Sequence, residues 1–121
     1  MEVFEIHGPL FFGAAYKFKD AMKIVENHTQ ILIIRMRFVP IIDATGLGIL
    51  KEVNEDMNKR GARLILSDVN SEQVIQELRK SRLLFRIGRA NVTKTLDAAI
   101  KRGKELLIER DNNQPAKNLA H

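Results

Sequence analysis

The sequence predicts an α/β domain with a mixed, mostly parallel sheet flanked by about four helices. Three observations carry this. Ile31 to Met36 and Leu64-Ile65-Leu66 are apolar at nearly every position, the pattern of strands covered on both faces. Around them lie stretches whose apolar residues recur with helical spacing. The two kinds of segment alternate along the chain, and right-handed crossovers turn such alternation into parallel strands with helices packed on them.

Val3-Phe4-Glu5-Ile6-His7 alternates, with Phe4 and Ile6 on one face, and predicts a half-buried first strand that Gly8-Pro9 breaks. Leu10-Phe11-Phe12 is a short apolar return ended by Gly13. Ala14 to Glu26 has helical spacing, with Ala14, Phe18, Ala21 or Met22, and Val25 on one stripe, and Asn27-His28 closes it. Pro40 marks the far end of the second strand. The helix after Gly46 buries Leu47, Leu50, Val53 and Met57, and stops at Lys59-Arg60-Gly61.

After the strand at Leu64, Asn70 and Gln73 have the spacing of an N-cap and its capping-box partner. They open a helix with Val74, Ile75 and Leu78 inward. Leu84-Phe85-Arg86-Ile87 reads as a short strand or turn before Gly88, with Phe85 buried. A last helix starts near Thr93 or Thr95, buries Leu96, Ala99, Ile100 and Leu107, and runs to Arg110. Residues 1–110 thus form one domain, and 111–121 a polar tail expected to be disordered.

Bulk properties narrow the function. The chain has 121 residues, 45% of them apolar, enough for a single core. It has no cysteine, which excludes disulfides and thiolate metal sites. Met1-Glu2-Val3-Phe4-Glu5 lacks the basic and apolar regions of a signal peptide, and no run is long enough to span a membrane. Composition leaves open that the chain is a piece of a membrane protein. Net charge is +5, from 20 basic and 15 acidic residues, which permits contact with phosphate, anionic lipid or an acidic protein without requiring it.

No catalytic constellation is visible. His7, His28 and His121 have no metal-ligand spacing, and there is no nucleophile elbow, P-loop or dinucleotide fingerprint. Neither a catalytic residue, a metal ligand nor a cofactor is assigned. The candidate loop is Asp43-Ala44-Thr45-Gly46-Leu47, at the start of a helix and the carboxyl end of a buried strand. A helix start has unpaired amides and a partial positive charge, so it can hold an anion or nucleotide phosphate, or present the Thr45 hydroxyl to a kinase. The plain structural reading is that Asp43 or Thr45 caps the helix and Gly46 lets it lie close to the sheet.

Residues 79 to 89 hold five basic side chains (Arg79, Lys80, Arg82, Arg86 and Arg89) and no acidic one. They form either a solvated helix end or a contact surface for anionic lipid headgroups or an acidic protein. With one aromatic in the run and no binding motif, nucleic acid is not expected. Phe11 and Phe12 either fill the sheet edge or offer an apolar surface to a neighbouring domain.

These residues resemble the STAS domain, the module shared by SulP-type anion transporters and bacterial anti-anti-sigma factors. The resemblance runs from Val3 to Ile108 and is carried by Ile6-His7-Gly8-Pro9-Leu10-Phe11-Phe12-Gly13-Ala14-Ala15, Ile33-Ile34-Arg35-Met36 and Val39-Pro40-Ile41-Ile42-Asp43-Ala44-Thr45-Gly46-Leu47. The Gly-Pro-Leu-Phe-Phe-Gly-Ala opening is similar to the transporter branch. The resemblance implies a non-catalytic regulatory domain on the cytoplasmic side of the inner membrane, part of an integral membrane sulfate-permease-like secondary transporter. Its implied partners are that transporter's transmembrane domain, a second protomer, an acidic cytosolic protein or anionic lipid. The alternative it implies is a free-standing anti-anti-sigma-like switch protein. In that branch the loop reads Asp-Ser-Ser-Gly and its second serine is phosphorylated; here Thr45 holds that position and Ala44 the first. The family's proposed nucleotide-binding role would fall on the same helix start.

Overall fold

The computed structural model describes residues 1–23 and 29–112. In chain order it contains β1 (Glu2–His7), α1 (Phe12–Met22), β2 (Ile31–Phe38), α2 (Ala44–Lys59), β3 (Arg63–Ser67), α3 (Glu72–Lys80), α4 (Leu83–Ile87), a 3-10 turn at Arg89–Asn91 and α5 (Leu96–Asn112). The strands lie in the order β1-β2-β3. The sheet expected to be mixed is parallel throughout the described residues, with Leu32 opposite Leu64 and Ile34 opposite Leu66.

Strand alternation divides the core into two layers. Leu32, Ile34, Met36, Leu64 and Leu66 face α1 to α4 in the larger cluster. Ile31, Ile33 and Ile65 point the other way, onto Ala99 and Leu106 of α5. Both faces of β2 and β3 are covered, which explains their unbroken apolar runs.

Four local expectations need correction. In α1 the buried stripe is Ala15, Phe18 and the partly buried Met22, while Ala14 is exposed, because the helix begins at Phe12 and its inward phase falls one residue later. The remainder of that expected helix, with Val25, Asn27 and His28, lies outside the described residues. Residues 84–87 belong to a helix: Leu83 and Ile87, one turn apart, are buried, and Phe85 is 68% exposed on the other side. The strand-like pairing expected there occurs instead at Val92, which forms a single parallel bridge to Leu66. Finally, the N-cap of α3 is Ser71, whose hydroxyl accepts from the Val74 amide, so Asn70 and Gln73 form no capping box.

α5 buries Ala99, Gly103 and Leu106, with Leu96, Ile100 and Leu107 half-buried. It is capped by Thr95 Oγ1, which accepts from the Ala98 amide at 3.1 Å, and runs two residues past the expected end at Arg110. The tail from residue 113 lies outside the described residues.

Candidate functional site

The loop before α2 is built by three separate restraints. Asp43, in extended conformation, caps the helix: its Oδ1 accepts from the Gly46 amide at 2.8 Å. Its own amide donates to Leu10 O at 3.4 Å, and Leu10 N donates to Ile41 O at 3.0 Å, so the Leu10 segment runs beside the loop like a short strand. On the opposite side Gln73 of α3 grips Ile42 in both directions, its Oε1 accepting from Ile42 N and its Nε2 donating to Ile42 O, each at 2.9 Å. Ser71 adds a bond from its hydroxyl to Pro40 O at 2.6 Å.

Gly46 makes this packing possible. A Cβ there would lie 2.4 Å from the backbone oxygen of Leu10 and 2.8 Å from Ile42 Cγ1. Nothing lies within 4 Å of the corresponding position on Gly48, two residues on. The expectation that Gly46 brings the helix start close to the sheet therefore has a steric cause in the Leu10 carbonyl.

Of the loop's amides, Gly46 N is taken by the Asp43 carboxylate and Leu47 N by Asp43 O at 3.0 Å. The first-turn amides of Ala44 and Thr45 have no carbonyl one turn earlier to bond, as at any helix start. Ala44 is exposed, Thr45 and Leu47 are half-buried, and no described residue bonds the Thr45 hydroxyl. Clefts of about 460, 270 and 240 Å³ lie elsewhere; none is lined by residues 43–48. Among the described residues no group of three His, Asp or Glu side chains is placed to hold a metal. The arrangement offers a hydroxyl and a weak positive pole beside a fixed carboxylate.

The basic run occupies the end of α3, a tight turn and α4. Arg79, Lys80, Arg82, Arg86 and Arg89 are all exposed. Arg82 sits at φ 64, a left-handed conformation that turns the chain sharply between the two helices. Arg86 is 3.5 Å from Glu55, and the Arg89 guanidinium lies 5.3 Å from the centre of the Phe85 ring. Phe85, expected inside, is on this surface. Phe11 is 42% exposed beside the α2 loop, while the side chain of Phe12 lies outside the described residues.

Two charged clusters escaped the sequence reading. Arg35 Nε donates to Asp68 Oδ2 at 3.0 Å, a carboxylate that also accepts from Ser67 Oγ at 2.8 Å. Asp68 is buried and adopts φ 56, so the pair fixes the strained exit from β3. At the far end of β1, Glu5 accepts from Arg37 Nε at 2.9 Å, and the Arg37 guanidinium lies 4.4 Å over the Phe38 ring, which stacks against His7. The Arg37 hydrogen bond holds the Glu5 carboxyl below its ordinary pKa. The partners are 33 and 32 residues apart, and only the strand register brings them together.

The match of this fold to known proteins defines the class. Residues 2–99 match the family model of the STAS domain, and the chain belongs to the STAS domain family. Within it the chain is of the SulP sulfate-transporter type. It is similar to a sulfate transporter family protein from Wolinella succinogenes at 38% identity and TM-score 0.79, over 88% of this chain and 86% of that one. It is similar to the STAS domain of a SulP transporter from Vibrio cholerae at 32% identity and TM-score 0.70, over 90% and 83% of the two chains. The murine anion transporter Slc26a9 shares the fold at 19% identity and TM-score 0.74, over 85% of this chain and 17% of that one. No curated protein matches the sequence.

Proposed function

We propose that the chain is the cytoplasmic regulatory and interaction domain of a SulP-type secondary anion transporter, with sulfate as the anion. It would sit at the inner face of the membrane as part of an integral membrane protein. The observation that carries this is the 38% identity, over 88% of the chain, with a protein of the sulfate transporter family. In this reading the domain does no chemistry. It acts by contact with the transmembrane domain or with a second protomer, and the exposed Phe11 beside the α2 loop is the apolar part of that contact.

The test is sulfate uptake by source cells whose gene lacks the segment encoding these residues. The expected result is altered uptake with the membrane-embedded remainder still present in the membrane. Unchanged uptake would reject a regulatory role.

One observation favours a second reading, a free-standing STAS switch protein: Thr45 keeps a half-buried hydroxyl in the first turn of α2 with no described bonding partner. A phosphate there would add about two negative charges, favoured by the helix start and opposed by Asp43. This reading expects phosphate on Thr45 in protein isolated from source cells, and a change in partner binding for Thr45→Glu. Unmodified Thr45 together with wild-type binding by Thr45→Ala would end it.

A further inference from the structure

The molecule carries a second surface whose chemistry differs from that of the α2 loop. Among the described residues Phe85 is the most exposed large apolar side chain, at 68%. It projects from α4 because Leu83 and Ile87 take the inward positions of that short helix. The Arg89 guanidinium lies 5.3 Å from the centre of its ring, Arg86 shares α4 with it, Arg82 immediately precedes that helix, and Arg79 and Lys80 lie in the last turn of α3. No acidic residue interrupts the run from 79 to 89, and Glu55 meets Arg86 alone among these cations. The left-handed residue Arg82 makes the tight turn that joins α3 to α4.

We infer that this surface docks on an anionic phospholipid bilayer, with Phe85 entering the interfacial region and the five cations meeting headgroup phosphates. Exposing an aromatic ring to water has no benefit for folding, whereas a ring flanked by long cationic side chains matches the layered polarity of a membrane interface. Clusters of four to eight basic residues are the known scale for attraction to anionic lipid. A bilayer fits better than an acidic peptide, because an exposed aromatic ring beside cations suits an interface that is apolar beneath its phosphates, and none of the three clefts described above is lined by these residues. The inference rests on the proposed position beside a membrane and names the lipid surface as a partner there.

The test is co-sedimentation of the 121-residue chain with phosphatidylcholine vesicles, with and without phosphatidylglycerol. Sedimentation is expected only with phosphatidylglycerol and is lost in high salt. Arg79→Glu with Arg89→Glu, both exposed, should weaken partitioning at least about 25-fold, since each cation contributes about fivefold. Arg82→Asn removes a charge with a residue that tolerates the left-handed conformation, and should weaken it about fivefold. In Phe85→Trp, the only tryptophan, emission should shift to the blue as anionic vesicles are added.

Failure to sediment with phosphatidylglycerol, binding that survives the double charge reversal, or unshifted emission would each overturn the inference. So would binding to polyglutamate without binding to vesicles, which would make the partner an acidic protein. The vesicle result is independent of where the full gene product resides. A protein shown by fractionation to lack a transmembrane part would overturn the transporter reading and leave the lipid surface standing or falling on its own data.

Discussion

The two surfaces that carry the functional argument are built in opposite ways. The start of α2 is fixed from three sides, by the Leu10 segment, the Asp43 cap and the Gln73 clamp, and it tolerates no side chain at Gly46. The α3–α4 surface has exposed side chains whose described contacts are few and long, Arg86 with Glu55 of α2 and Arg89 with Phe85. Substitutions at the first region should therefore act through stability and shape. Those at the second should act through contacts with something outside the chain.

The sharpest form of that contrast is internal to α2. Gly46→Ala places a methyl against the backbone oxygen of Leu10, which cannot yield without moving the neighbouring segment, and should cost about 3 kcal/mol in urea unfolding. Gly48→Ala, in the same helix with open space around it, should stabilise by about 0.5–1 kcal/mol. Equal effects would refute the steric account of the loop.

Next in size is the clamp. Gln73→Ala removes both bonds to Ile42 and should cost about 2 kcal/mol. Amide hydrogen exchange should quicken at residues 40–47 more than elsewhere, and uniform quickening would show that Gln73 supports the domain generally. Asp43→Ala removes the cap from Gly46 N and should cost about 1 kcal/mol by the same unfolding measurement. On the other surface, Arg79→Glu should leave stability within about 0.5 kcal/mol of wild type while changing vesicle binding.

The smallest effect concerns pH. The Arg37 hydrogen bond lowers the folded-state pKa of Glu5 below its ordinary value of 4.5. A lowered carboxylate pKa stabilises above the unfolded-state value, and that contribution disappears as pH falls through the lower folded-state value. The melting temperatures of wild type and Glu5→Gln should therefore differ slightly at neutral pH and converge in acid. Divergence in acid would contradict the ion pair.

Much of the fold was legible because its signals are local. Ile31 to Met36 and the helical stripes of α2, α3 and α5 give period and order directly. Leu84–Ile87 was misread because four residues of an apolar run cannot separate a strand from one turn of helix, and its exposed phenylalanine went with it. The helix start at Asp43 was legible, since the Asp43 cap and Gly46 act within three residues of each other. Gln73 was invisible as a clamp because its partner Ile42 lies 31 residues away, and its spacing from Asn70 imitates a capping box. The Arg35–Asp68 and Arg37–Glu5 pairs were hidden for the same reason.

The central claim, that these residues are one domain of a membrane transporter, is tested most directly by fractionating source cells and probing with an antibody against the domain. The account predicts a band far larger than the 13.8 kDa of this chain, confined to membranes and resistant to high-salt washing. A band of that small mass, in the soluble fraction or released from membranes by salt, would contradict it.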